Sequence, residues 1–129
     1  MIQRPSAVSL VLCDDILIEH NTKSATLIRC FNKLTFRSFP TGPRPFWVYA
    51  MLTDGLGPVP LSLSITRLDT MERVYDRSWQ MTFSDPLRIV KVPFHVGSCS
   101  FPVATRYEIV LSAGNEALAA TVLTVVLQE

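Results

Sequence analysis

Residues 61–66, Leu-Ser-Leu-Ser-Ile-Thr, alternate strictly between an aliphatic side chain and a hydroxyl side chain. Successive side chains of a β-strand point to opposite faces, so this stretch predicts a strand with one face in a core and the other in water. Residues 106–111, RYEIVL, alternate in the same way. Helical spacing is ambiguous only in residues 113–122, and the β-branched run that follows them favours a strand there too.

Clusters of Gly, Pro, Asn, Asp and Ser divide the rest of the chain into short extended segments. The predicted strands cover approximately residues 7–19, 25–36 (with a break allowed), 46–53, 59–67, 73–83, 87–96, 103–112 and 117–127. The 129 residues suit one domain, and the sequence contains no repeat, linker or low-complexity segment. We therefore predict an all-β protein: a single antiparallel β-sandwich domain over residues 1–129, with about seven to nine strands and an immunoglobulin-like or C2-like architecture.

The charge balance argues against two classes of partner. Twelve basic and eleven acidic residues leave a net charge of +1, so no field of one sign attracts nucleic acid or an anionic membrane. Residues 6–13 imitate a short lipoprotein signal that ends at Cys13, but the apolar stretch is minimal and Leu12 is too large for such a cleavage site. The odd number of cysteines, with no C-x-x-C pair, favours reduced thiols and a cytoplasmic location.

Residues 10–20, LVLCDDILIEH, place two adjacent aspartates inside an apolar strand. Strict alternation would bury Asp14 among aliphatic side chains, which is costly for an unpaired carboxylate. A bulge or bend at residues 13–15 avoids this cost, and we predict that Asp14 or Asp15 then accepts a backbone hydrogen bond. The alternative is a divalent-cation site that uses Asp14 and Asp15 with Glu19 and His20, although adjacent residues of a strand point apart.

Three predicted strands are apolar on both faces, the first of them only up to Cys13, whereas a sandwich strand usually shows one face to water. In residues 46–53, Trp47, Tyr49 and Met51 lie opposite the side chains that would enter the core. Residues 117–127 have the same two-sided pattern. A loop of the chain, a second copy or another protein must cover the second face, and we expect self-association or a protein partner that binds strand 46–53 or strand 117–127.

Few residues are candidates for chemistry. The sequence contains no G-x-S-x-G, phosphate-binding loop, G-x-G-x-x-G or H-E-x-x-H motif, so we predict no catalytic residues, no cofactor and no enzyme activity. The proline-rich segment 39–47 is best interpreted as a stiff loop that enters a strand, with Trp47 in the core. The alternative is a rigid recognition loop, whose binding residues would be Arg44, Phe46, Trp47 and, in the following strand, Tyr49. Tyr107, near the start of a late strand, is placed to tie a sandwich corner through its hydroxyl, which is a structural role.

Three stretches carry a resemblance: AVSLVLCDDILIEHNTKSATLIRCFNKLTFRSFP (7–40), FWVYAMLTDGLG (46–57) and FPVATRYEIVLSAGNEALAATVLTV (101–125). They resemble a family of small bacterial proteins of unassigned function. Its members share a Cys-Asp strand, a Phe-Pro before an aromatic strand and a late Pro-x-x-x-x-Tyr strand. Thr105 and the pair Arg29-Cys30 stand where the family has glycine. The resemblance implies an all-β sandwich and transfers no catalytic residues.

These observations predict a non-catalytic binding or assembly module. The alternative is a divalent-cation-dependent binder or an enzyme that uses the Asp14/Asp15 region.

Overall fold

The computed structural model describes all 129 residues and contains nine β-strands and no helix. The strands are β1 (Ser6–Ile18), β2 (Ala25–Cys30), β3 (Lys33–Phe36), β4 (Phe46–Thr53), β5 (Gly57–Arg67), β6 (Arg73–Phe83), β7 (Val90–Val96), β8 (Arg106–Ala113) and β9 (Glu116–Leu127). The predicted all-β class is confirmed, and the ambiguous segment 113–122 belongs to β8, a turn and β9. Strand β7 begins later than predicted because Asp85 accepts hydrogen bonds from the N–H groups of Leu87 and Arg88 and turns the chain.

The strands form two sheets, a four-stranded sheet in the order β2-β1-β4-β7 and a five-stranded sheet in the order β3-β9-β8-β5-β6. The predicted segment 25–36 is broken at Phe31 and Asn32, so that β2 and β3 belong to different sheets. The expectation of a purely antiparallel sandwich is wrong in one place, because β3 pairs in parallel with β9 over Lys33–Phe36. After the chain crosses from one sheet to the other, β3 lies beside the last strand, β9, and runs in the same direction.

The core lies between the two sheets and follows the alternation along each strand. In the four-stranded sheet the core face of β4 carries Phe46, Val48, Ala50 and Leu52, each at most 2% exposed. In the five-stranded sheet the matching faces of β5 and β8 supply Leu61, Leu63, Ile65, Ile109 and Leu111. The chain contains no helix with the length and apolar character needed to cross a bilayer.

Tyr107 ties the entry of β8 to the loop before it. Its ring is fully buried and packs edge-on against Phe101, with 5.0 Å between the ring centroids. Its hydroxyl donates a hydrogen bond of 2.7 Å to the carbonyl of Val103 and lies 3.4 Å from the N–H of the same residue. The hydroxyl therefore satisfies backbone groups that the loop could not otherwise pair away from water.

We expect Tyr107→Phe to lower the free energy of unfolding by about 1–2 kcal/mol, because it leaves the half-buried Val103 carbonyl without its donor. Chemical denaturation measures this difference. Tyr49→Phe is the matched control: Tyr49 is also buried, but its hydroxyl makes no hydrogen bond within the chain, so its loss should change stability by less than about 0.5 kcal/mol. Equal effects of the two substitutions would contradict the assigned role of the Tyr107 hydroxyl.

Candidate functional site

The β1–β2 hairpin folds back over the outer face of the four-stranded sheet. Strand β1 pairs with β4 only as far as Cys13, and with β2 from Cys13 onward. A straight hairpin would carry its tip roughly 30 Å beyond the level of Ser9, which lies in one row with Met51 and Lys91. The Nζ of Lys91 nevertheless donates a hydrogen bond to the carbonyl of Lys23 in the tip. The hairpin must therefore reverse its direction after Cys13.

The folded-back hairpin covers the second apolar face of β4. Tyr49 points away from the core yet is only 5% exposed, and burial raises the pKa of its hydroxyl. The Oγ of Ser9, on the same face, is shielded from solvent and has no hydrogen-bond partner. Along the hairpin, Ile16 and Leu27 share one face and are half-buried. The chain itself thus supplies a cover for strand 46–53, one of the alternatives that its two-sided pattern leaves open.

Asp14 lies at the point of reversal and binds two arginines. The register between β1 and β2 omits Asp14 and Arg29, and Arg29 has a left-handed φ of 51°. Arg29 Nε lies 2.8 Å from Asp14 Oδ2, and Arg44 Nη2 lies 2.8 Å from Asp14 Oδ1. The hydrogen bond from Arg44 lowers the pKa of Asp14 below its usual value, against the opposing effect of partial burial. The carboxylate is neutralised by guanidinium groups, and not by the backbone N–H groups that the sequence suggested.

Arg44 is held in place from several sides. Its backbone N–H donates to the carbonyl of Cys99, which fixes the proline-rich loop against the segment before β8. Its guanidinium carbon lies 5.5 Å from the centre of the Phe31 ring, within the range of a cation–π contact. The Phe31 ring in turn meets Phe46 edge-on at 5.8 Å. Arg44 therefore joins the bend of β1, the break after β2 and the entry of β4.

Asp15 takes the role expected of one of the two aspartates, because its Oδ1 accepts a hydrogen bond of 2.8 Å from the N–H of Ile16. The geometry around Asp14 argues against the alternative of a divalent-cation site. Both oxygens of Asp14 already face guanidinium groups, which repel a cation. No cluster of three or more His, Cys, Asp or Glu side chains exists in the chain, so the structure does not gather Asp14, Asp15, Glu19 and His20 into a ligand set.

The four residues predicted to bind a partner do not form one surface. Phe46 is 1% exposed and belongs to the core, whereas Tyr49 lies beneath the hairpin. Arg44 is engaged with Asp14, with 30% of its side chain still exposed. Trp47 is half-buried on the outer face, and its ring lies 4.7 Å from that of His95 on the neighbouring strand β7. Of the four, Arg44 and Trp47 are the ones that solvent reaches.

A groove that the sequence did not indicate lies beside Trp47 and His95, between the edge strands β6 and β7. It encloses about 460 Å³ and is lined by Tyr75, Arg77, Ser78, Trp79, Phe94, His95, Gly97 and Ser98. At its floor the rings of Trp79 and Phe94 stack, with centroids 4.7 Å apart and an angle of 23° between the planes. Trp79 and Arg77 lie in register with the core residues Leu61 and Leu63 of β5, so both side chains start from the inner face of the sheet.

The groove combines apolar walls with unpaired polar groups. Arg77 is exposed and takes part in no salt bridge, whereas Arg73 on the same strand is paired with Asp76 at 3.2 Å. Strand β6 is hydrogen-bonded only to β5, and β7 only to β4, so each strand has one free edge of backbone N–H and C=O groups. The sequence offered one signal for this site: an arginine at an inward position of an otherwise apolar alternation, between Tyr75 and Trp79.

No pair of residues in the chain has the arrangement of a nucleophile and its base. Cys99 is fully buried, and burial raises its pKa to about 12, so it remains a thiol at neutral pH. His95 contacts the Trp47 ring, and neither histidine is hydrogen-bonded to a Ser, Thr, Cys, Asp or Glu side chain.

We expect Asp14→Asn to lower the free energy of unfolding by about 1–2 kcal/mol at pH 7, mainly through the bond to the half-buried Arg44. Because the folded chain lowers the pKa of Asp14, the carboxylate stabilises the fold above pH 4, roughly the ordinary aspartate pKa. That contribution is lost as the pH falls below 4. Denaturation at several pH values should therefore show wild type and variant converging in acid.

Asp76→Asn is the matched control for this experiment. It also removes a carboxylate from an arginine, but in a pair whose side chains are about half exposed. We expect it to change stability by less than about 0.5 kcal/mol at any of these pH values. A difference between wild type and Asp14→Asn that does not shrink in acid would contradict the role given to the Asp14 carboxylate.

Comparison with known proteins is consistent with the resemblance seen in the sequence. A search of curated proteins gave no match. The model of a family of unknown function, DUF6941, matches residues 8–126, which is nearly the whole chain and includes the bend, both sheets and the groove. The chain belongs to the DUF6941 family.

Proposed function

We propose that this protein is a non-catalytic binding module that holds an extended segment of a protein partner in the groove between β6 and β7. One observation carries the proposal: the groove places stacked aromatic rings and a guanidinium that forms no salt bridge beside two strand edges whose backbone groups are free. An extended segment can add to such an edge through main-chain hydrogen bonds, while pockets accept alternate side chains.

The side chains of the groove define the segment that fits. The half-buried rings of Trp79, Phe94 and Tyr75 offer an apolar surface to an aromatic or large aliphatic side chain. Arg77 has no acidic partner within the chain, which favours a carboxylate two residues from that apolar anchor. The segment is therefore extended, carries an apolar anchor and has an acidic neighbour on the same face.

A second copy of the chain is a weaker candidate for this edge. Antiparallel pairing of β6 with itself about the middle of the strand would bring the like-charged Arg77 side chains of the two copies close to the shared axis. An inward-pointing charge on an edge strand is also a common obstacle to pairing between identical edges. The outer face of β9 is the alternative surface for self-association. Val122 and Val126 lie on this face and are half-buried. They line a groove together with Asn32, Lys33, Arg106 and Thr124, and no other segment of the chain covers it.

We also propose that the sandwich is of the immunoglobulin-like type, and not C2-like. The neighbour order β6-β5-β8-β9 corresponds to strands C′-C-F-G of a variable-type domain, and β1-β4-β7 to strands A-B-E. The tyrosine at the start of β8 bonds to the backbone four residues upstream, as the corner tyrosine of strand F does. We also propose a cytoplasmic location, which the three free cysteines favour.

Display of random linear peptides on wild-type protein tests the proposed binding. We expect the enriched peptides to combine an aromatic or aliphatic residue with Asp or Glu, and their affinity to fall about tenfold or more in Arg77→Glu, because the charge reversal turns attraction into repulsion. Fluorescence anisotropy with labelled peptides measures the affinities, and light scattering on the same samples reports the oligomeric state.

Lys33→Glu is the matched control, since it makes the same change of charge at an exposed position on the opposite edge of the five-stranded sheet. Its affinity for the peptides should equal that of wild type. Peptides without an acidic residue, or binding that Arg77→Glu leaves unchanged, would argue against the groove. A dimer that persists in Arg77→Glu would move the binding surface to β9.

A further inference from the structure

Two of the three cysteines face each other across the β1–β2 hairpin. Cys13 and Cys30 are direct partners in the antiparallel register, at the open end of the hairpin where the chain bends. Residues paired in this way have Cα atoms about 4.5–5.5 Å apart and point to the same face. These distances fall inside the range that a disulfide requires, about 4.4–6.8 Å between Cα atoms. Both cysteines are free thiols in the structure.

The two thiols differ in access to solvent. Cys30 is exposed, whereas Cys13 is 0% exposed, beneath the folded-back hairpin. Burial, together with the neighbouring Cys30 thiol, raises the pKa of Cys13. Cys30 can therefore meet a reagent from solution, and Cys13 can meet only Cys30. One exposed thiol within reach of a second thiol is enough for oxidation of the pair in two steps.

We propose that Cys13 and Cys30 are a reversible thiol–disulfide site whose co-reactant is a low-molecular-weight disulfide. The Cys30 thiolate attacks one sulfur of the external disulfide, forms a mixed disulfide and releases the first small thiol. Cys13, as its thiolate, then attacks the Cys30 sulfur, forms the Cys13–Cys30 bond and expels the second small thiol. The two protons from the cysteines end on the two released thiols, so the protein sulfurs are oxidised and the external disulfide is reduced.

The surroundings set this pair of thiols apart from the third cysteine. Both oxygens of the Asp14 carboxylate, in the residue next to Cys13, are engaged by Arg29 and Arg44, so this charge is balanced within the bend. Cys99 lies in the segment between β7 and β8, is fully buried and has no cysteine partner in the register of any strand.

The bond would close the hairpin at its base. It joins residues 13 and 30, which bound the hairpin that covers Tyr49, so oxidation restricts the separation of β1 from β2. The cross-link should therefore shift the unfolding midpoint of the oxidised protein to higher denaturant concentration than that of the reduced protein. This site is separate from the groove between β6 and β7, and its test does not depend on the proposed binding function.

The experiment equilibrates the full-length protein in glutathione buffers of increasing oxidising potential, quenches with acid, alkylates the remaining thiols and maps tryptic peptides without reduction. Cleavage after Lys23, Arg29 and Lys33 makes the readout specific, because the proposed bond joins the peptide of residues 1–23 to the peptide of residues 30–33. We expect this cross-linked pair in wild type, with Cys99 alkylated only after unfolding, and the pair should disappear on reduction.

Cys30→Ser changes an exposed side chain and serves as the main control, while Cys13→Ala removes the inner thiol. Neither variant should yield the cross-linked peptides, and Cys13→Ala should instead accumulate the glutathione adduct on Cys30. Three results would overturn the proposal: a stable glutathione adduct on Cys30 in wild type, dimers joined through Cys30, or both thiols remaining free in excess oxidised glutathione. If Cys13→Ala fails to fold, wild type and Cys30→Ser alone still decide between these outcomes.

Discussion

The ion pairs of Asp14 hold the chain at the one place where a strand must leave its sheet. Strand β1 cannot continue straight, because alternation would carry a carboxylate into an apolar face, and an unpaired charge there is expensive. Reversal after Cys13 places the carboxylate against Arg44, which is fixed by the loop before β4, and against Arg29 on the returning strand. Three separate segments of the chain thus meet at one charge.

The bend also explains how the second apolar face of the four-stranded sheet is covered. Trp47, Tyr49 and Met51 all point away from the core, and a β-sandwich normally leaves such a face to water. Here the hairpin folds over it, and the tip is fastened by Lys91 to the edge strand β7. A cover from within the chain is entropically cheaper than a partner, since it does not cost the translational and rotational freedom of a second molecule. Apolar composition alone therefore does not require association through this strand.

Local periodicity in the sequence was sufficient to predict most of the strands. Alternation in residues 61–66 and 106–111 identified strands β5 and β8, and the two-sided pattern of residues 46–53 correctly indicated that something covers β4. A bend near Asp14 followed from the cost of burying a charge. The partners of that charge were missed, because Arg29 and Arg44 are distant in sequence and only the tertiary fold brings them to one carboxylate.

The pairing of Cys13 with Cys30 was hidden for a different reason. A search for C-x-x-C reads short spacings, whereas a cross-strand pair depends on the register of a hairpin, and one residue of slip would place the two thiols on opposite faces. Arg29 has a left-handed backbone conformation, which glycine adopts without strain and other residues do not. An arginine at that position accepts the strained backbone and in return supplies one of the two guanidinium groups at the bend.

Different contacts close the two lateral openings between the sheets, and this difference determines the position of the groove. On one side β1 approaches β9, and Arg4 pairs with Glu116 at 3.2 Å while Leu118 packs on the core. On the other side no ion pair joins β6 to β7, and the rings of Trp79 and Phe94 fill the gap. Flat stacked rings seal a core against water but leave their outer edges and the two strand edges accessible. A sandwich closed here by aromatic side chains, and not by backbone pairing, thus keeps the free edges of β6 and β7 at its surface.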